Sequence, residues 1–264
     1  MKSPAKFPTT TYWTRYFGSF VSGSEVLCIP ILFFMFGSDT IHDDFYDLDY
    51  QQEIFQKSFY LIDDFIDDKL LYFNKEYDEL KGENRFIEIE ENTEMEQPYH
   101  LIDLKEYYLE EIIELDRILS AHRYSTITRL WSHFESRLTN YCNSHQLQHN
   151  KEYGIDDLRG STFEKITKYL ERSVQLDIQN AHKKNYDFIK SLNHLRNQIV
   201  HHEGLCKSQS KYNQVKDLLN YGLDLRQKTL ENHVYNIILS KEFIGTSMKI
   251  IFDFINFIEN SSRN

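Results

Sequence analysis

Glycine, proline and cysteine are all scarce in this 264-residue chain, which holds 9 Gly, 4 Pro and 3 Cys. So few turn-forming residues argue against a β-sandwich, a barrel or a linker-rich protein. Cys28, Cys142 and Cys206 are far apart and form no CxxC, so neither a disulfide framework nor a zinc knuckle is expected. Long apolar runs are missing too. The longest, from Val26 to Phe36, contains Pro30 and falls well short of the roughly 20 residues that span a bilayer. The opening MKSPAKFPTTTYW lacks the apolar core of a signal peptide, so the expectation is a soluble, cytoplasmic protein with no membrane partner. Aromatic and acidic residues are plentiful. With 18 Tyr and 19 Phe the chain has the means to build a core, and a net charge of −11 excludes a generic polyanion binder.

The charge is unevenly placed. Residues 1–100 carry 20 acidic and 8 basic side chains, whereas residues 101–264 carry 21 and 22. This split suggests an acidic N-terminal extension over 1–100 and a separate domain over 101–264. Between Ala121 and Asp217 there are 15 Lys and Arg against 10 acids, with eight of the 11 histidines, a balance that suits phosphate contacts. The acidic stretch 41–96 is a candidate phosphate mimic for an RNA groove or a dock for a basic partner; plain solubility is the simpler reading.

Apolar periodicity predicts a mainly α protein. Helices are expected from Tyr50 to Phe73, with Ile54, Phe55, Phe59, Ile62, Phe65, Ile66 and Leu70 at helical spacing, and from His100 to Leu119. Others follow over Tyr124 to Cys142, Asp156 to Leu176, Asn185 to Glu203 and Ser240 to Glu259. The segment between the first two reads mainly as a connection, with FIEIE as a short strand, and VLCIPILFFMF as a buried strand or short helix. TLENHVYNIIL suggests a small hairpin or an irregular turn, Asn185 a helix cap with Asp187 in the first turn, and Gly204 a helix stop.

The segment NYDFIKSLNHLRNQIVHHEG carries the chemistry. On a helical wheel Phe188, Leu192, Leu195 and Ile199 fall within about 60° of one another, a core-facing seam. With Phe188 at zero, Arg196 lies near ~80°, Asn193 near ~140°, Asn197 near ~180°, His201 near ~220° and His194 near ~240°. An Arg/Asn/His strip replaces the Lys/Glu mixture of an ordinary solvated helix.

Arg196-Asn197-Gln198-Ile199-Val200-His201 resembles the Arg-Asn-x-x-x-His form of the motif of HEPN domains, and LRNQIVHHEG looks like the version found in bacterial anti-phage members. The upstream TITRLWSHFESRLTNYC, with its Phe134-Glu135 step, is similar to the long helix that precedes the motif in that family. The resemblance covers roughly residues 105–260. It implies an all-helical bundle, a homodimer, and a metal-independent endoribonuclease of toxin–antitoxin or abortive-infection type. The implied substrate is cellular or phage RNA, tRNA included. No cofactor is implied, and an antitoxin or other defence-system protein is an implied partner. Arg196, Asn197 and His201 are the implied catalytic residues, with Glu135, His202, Asn193 and His194 in support. The alternative is a non-catalytic HEPN module that only binds protein or RNA. Some relatives continue the motif as His-x-Tyr, a tyrosine modified by a nucleotidyltransferase antitoxin; Glu203 stands at that position here.

The residue types fit that chemistry. A histidine near a helix C-terminus favours imidazolium, a general acid near neutral pH. Arginine offers phosphate oxygens a fixed charge and a planar fork of donors, and Asn197 can orient the imidazole or bond the phosphate. Two other constellations compete. Asp63, Asp64, Asp67 and Asp68 form i,i+4 carboxylate pairs of the kind that hold magnesium, but a solvated acidic face is the expected reading. His194, His201, His202 and Cys206 lack any recognised zinc spacing. No GxGxxG, Walker loop, GxSxG or HExxH occurs.

Overall fold

A computed structural model describes residues 48–80, 86–89, 100–229 and 234–261. The Val26–Phe36 run and most of the acidic DDFYDLDY and EIEENTEMEQ stretches lie outside the described residues. Within them the protein is mainly α. In chain order the elements are α1 (Leu48–Glu79), β1 (Phe86–Ile89), β2 (His100–Asp103), α2 (Leu104–Gln148), α3 (Thr162–Arg172), α4 (Ile178–Ala181), α5 (Lys183–His202), β3 (Leu205–Cys206), α6 (Gln209–Val215), β4 (Leu223–Thr229), β5 (Val234–Leu239) and α7 (Lys241–Ser261). Short 3₁₀ turns cover Ile155–Asp157 and Lys216–Tyr221. β1 and β2 form an antiparallel ribbon, and β5 lies between β3 and β4 in a second antiparallel sheet. No described helix is long and apolar enough to cross a membrane.

The axis of the fold is α2, a single helix of 45 residues where the periodicity predicts two. Nothing between Pro98 and Gly154 is glycine or proline, so the backbone has no reason to stop at Ser120. Asp103 caps its start by accepting from the Lys105 N–H at 2.9 Å. Its second half buries Ile127, Leu130, Trp131, Phe134, Leu138 and Cys142. Against these pack α5 and α7, the latter burying Phe243, Met248, Ile251, Phe252 and Ile255 among others.

Helix α1 packs along α2 and into the same core, through Leu48 and Phe59. Not all of its periodic residues face inward: Phe59 and Ile66 are buried, whereas Ile54 and Phe65 are 44% and 53% exposed. The acidic cluster on α1 is only partly a solvated face. Asp63 is fully buried and takes both prongs of Arg123, Nε at 2.8 Å and Nη2 at 2.9 Å. Arg123 Nη1 also donates to the Leu239 carbonyl at 3.0 Å, which ties α1, α2 and β5 together. Asp64 and Asp67 meet Lys241 at the start of α7. These carboxylates have cationic partners inside the chain.

The expected helix over 156–176 is shorter, because Gly160 takes a φ of +128° and Ser161 starts a new helix with a capping box to Glu164. The expected hairpin is present as β4 and β5, longer than TLENHVYNIIL suggests.

Candidate functional site

Helix α5 carries the Arg/Asn/His strip. It starts at Lys183 with His182 at the cap position and no side-chain cap bond, so Asn185 does not cap it. The preceding short turn of α4, capped by the Asp177 carboxylate, delivers the chain to that start and makes a cap at Asn185 unnecessary. The predicted seam is present: Phe188, Leu192, Leu195 and Ile199 are all buried. Ile189 and Gln198 are buried as well, so the inward face is wider than four residues.

The far end of α5 is fixed more firmly. Glu203 and Gly204 both take positive φ, +54° and +75°, and both backbone N–H groups reach the Gln198 carbonyl. This left-handed ending closes the helix two residues after His201. The Gly204 carbonyl accepts from the Ile237 N–H at 2.9 Å, and the Tyr124 hydroxyl donates to the Ile237 carbonyl. A Cβ on Gly204 would sit 2.6 Å from the Tyr124 ring carbon Cζ, so only glycine fits under that tyrosine. The motif's C-terminal turn is thereby held against both α2 and β5.

Arg196 lies at the margin of the buried face rather than on an open surface. Its Nη1 donates to Asn197 Oδ1 at 3.1 Å, while Nε is shut off from solvent with no acceptor. Glu135, on α2, is half-buried nearby. Burial raises the pKa of its carboxyl, and the Trp131 indole N–H and the Arg196 charge pull it partly back. The indole N–H lies close to the carboxylate without meeting hydrogen-bond geometry. Glu135 is thus within electrostatic reach of the half-buried Arg196 guanidinium.

His201 is exposed, whereas Asn193, His194, Asn197 and His202 are half-buried. Desolvation, with the Lys190 and Lys211 charges, lowers the pKa of His194. Within one chain Arg196 and His201 point about 140° apart around α5. The structure therefore joins Arg196 to Asn197, sets Glu135 close enough for the Arg196 charge to be felt, and turns His201 away from Arg196. Val200, 44% exposed, sits between the two. All these residues fall on the helices that apolar periodicity predicts, whereas the clamp of Gly204 and Tyr124 on the motif's end is a tertiary contact that periodicity does not show. The isolated glycine after a histidine-rich helix end was the available signal.

Among the described residues, His194, His201, His202 and Cys206 included, no group of three or more His, Cys, Asp or Glu side chains could hold a metal ion. Cys206 is buried, and burial pushes its thiol up to about 11. Compared with protein-family models, curated proteins and solved structures, the chain gives no significant match.

Proposed function

We propose that this chain is a metal-independent endoribonuclease of the HEPN type, acting as a toxin or anti-phage effector, with an active site composed from two copies. One observation carries the reading: a half-buried Arg196 bonded to Asn197 and within electrostatic reach of Glu135 shares a helix with the exposed His201. A half-buried guanidinium held by a side-chain acceptor is a preorganised charge, the arrangement that stabilises a developing phosphorane.

The chemistry needs no external nucleophile. The substrate's 2′-oxygen attacks the adjacent phosphorus, a new P–O bond forms, and the bond to the 5′-oxygen breaks. His201 as imidazolium gives its proton to the leaving 5′-oxygen, while the 2′-hydroxyl proton passes to the His201 of the second copy or to water. Arg196 bonds the non-bridging oxygens as charge accumulates. The divergence of Arg196 and His201 around α5 favours a second copy: two α5 strips facing across a two-fold axis bring each Arg196 toward the other chain's His201. Four cationic or ionisable groups crowded in that cleft repel one another until a phosphate enters.

The expected result on serial dilution is that cleavage per chain falls in step with the dimer fraction measured by sedimentation. Mixing Arg196→Ala chains with His201→Ala chains should restore part of the activity that each lacks alone. A fully active monomer, or no complementation by mixed chains shown to be dimeric, would contradict the shared site.

A further inference from the structure

The Arg/Asn/His strip continues past the motif. Lys190, His194, Asn197 and His201 follow one another at steps of four, three and four, so they form one file along the outside of α5. The upper half of that file, Lys190 and His194, walls a groove of about 670 Å³ between α5 and the segment made by α6 and the 3₁₀ turn. Lys184 lines it as well, and across from these residues stand Gln214, Asp217 and Tyr221. His194 is about 10 Å along the helix from His201, a short span of single-stranded RNA.

The lining has three distinct chemistries. The Tyr221 ring is half-buried and held edge-to-face by Phe188, with centroids 4.8 Å apart and planes at 72°. That is a fixed aromatic surface of the kind on which bases stack. Asp217 puts an exposed carboxylate, an acceptor, across from α5, whereas Gln214 Oε1 is cut off from solvent and is not offered to the groove. Lys184 and Lys190 stand at the α5 wall, and the Lys211 charge also reaches His194. Asp187 and Asp217 balance the two lining lysines, so the groove is no bare polyanion clamp. A ligand that fits brings a hydrogen-bond donor for Asp217 and an aromatic face for Tyr221, with an anionic group that the lysines can reach.

We propose that this groove binds one nucleotide of a single-stranded RNA close to the cleaved bond, with Tyr221 stacking on the base, Asp217 accepting from its amino group, and Lys184 and Lys190 holding phosphate. The assignment rests on the ribonuclease reading for its position beside His201, but its binding chemistry is independent of cleavage. Adenine, cytosine and guanine carry the exocyclic amino group. Uracil presents carbonyl oxygens on both sides of its single N–H, which oppose the Asp217 carboxylate. The groove is a specificity site that selects against uracil.

The test uses the full chain carrying His201→Ala, so that bound RNA is not consumed. Short labelled oligoribonucleotides of A, C, G or U are titrated by fluorescence anisotropy, with the four nucleoside monophosphates in parallel. The expected result is that oligo-U binds at least tenfold more weakly than the best amino-bearing sequence. Lys190→Glu, at an exposed position, and Tyr221→Leu should each weaken that best sequence at least tenfold. Lys190→Glu keeps the test valid should loss of the Phe188 contact unfold the Tyr221 variant. Equal affinity for all four oligonucleotides, or unchanged affinity in folded groove variants, would overturn the assignment. Tight binding of free mononucleotides without oligonucleotide binding would overturn it in favour of a free-nucleotide site. Failure of the two ideas is separable. Wild-type cleavage with no groove effect on binding removes only the subsite, and groove-dependent binding without wild-type cleavage removes only the ribonuclease reading.

Discussion

His201→Ala is expected to lower RNA cleavage by about 10²–10⁴-fold, the usual contribution of a positioned general acid or base. The side chain is exposed, so the thermal unfolding midpoint should stay where it is and growth inhibition should vanish with the activity. Arg196→Ala should be at least as severe for cleavage, for a different reason: it removes the charge that meets the phosphorane. It also carries a stability cost, because Arg196 is half-buried and its loss leaves the Glu135 carboxylate, already disfavoured by burial, without a nearby cation. Arg196→Lys separates the two effects, since it keeps a charge beside Glu135 but loses the planar fork. That variant should stay folded and remain crippled. Cleavage assays on purified variants, with melting curves alongside, read both quantities. A folded His201→Ala or Arg196→Lys chain with wild-type cleavage and toxicity would remove these residues from the site, and the non-catalytic binding module would then be the better account.

The largest stability loss is expected at the Asp63–Arg123 pair. Asp63 is fully buried and both its oxygens are held by Arg123, while Arg123 has further support from the Leu239 carbonyl and from Asp67 at 3.7 Å. Removing either partner strands a charge, at about 3–5 kcal/mol for a buried pair. Arg123→Ala should be the worse of the two, because the Asp63 left behind has no route to water, whereas a stranded Arg123 keeps two other contacts. Urea unfolding of Arg123→Ala, Asp63→Ala and the double variant measures this. The double variant should recover part of the loss, since no charge is then left unpaired. A loss under about 1 kcal/mol for Arg123→Ala would place the pair among ordinary surface bridges.

Much of the site helix is readable from the sequence because its signals are local. The seam from Phe188 to Ile199 follows from 3.6-residue spacing, and the stop at Gly204 from a residue that tolerates positive φ. The last helix and the hairpin before it are readable for the same reason. Local signals also set boundaries that periodicity alone misses: Ser161 and Glu164 spell a capping box that divides the expected helix over 156–176. The unbroken run of non-glycine, non-proline residues through Ser120 likewise required one helix rather than two. The remaining differences are tertiary. Arg123 and Asp63 are 60 positions apart, and no periodicity on α1 distinguishes the one buried carboxylate from its solvated neighbours. Arg196 sits near ~80° on the wheel, at the edge of a seam that widens only when Ile189 and Gln198 find partners. The groove opposite Lys190 depends on α6 and a 3₁₀ turn, both too short to announce themselves by pattern.

By the function proposed above, this chain cuts RNA through the substrate's own 2′-hydroxyl, using Arg196 and His201 and no metal. Purified protein incubated with total RNA and with tRNA in excess EDTA, followed by analysis of the new termini, tests it most directly. The account predicts cleavage that survives EDTA and leaves a 2′,3′-cyclic phosphate on one product and a 5′-hydroxyl on the other, with both ends absent in the His201→Ala control. Cleavage that depends strictly on added magnesium, or products that carry 5′-phosphates, would contradict it.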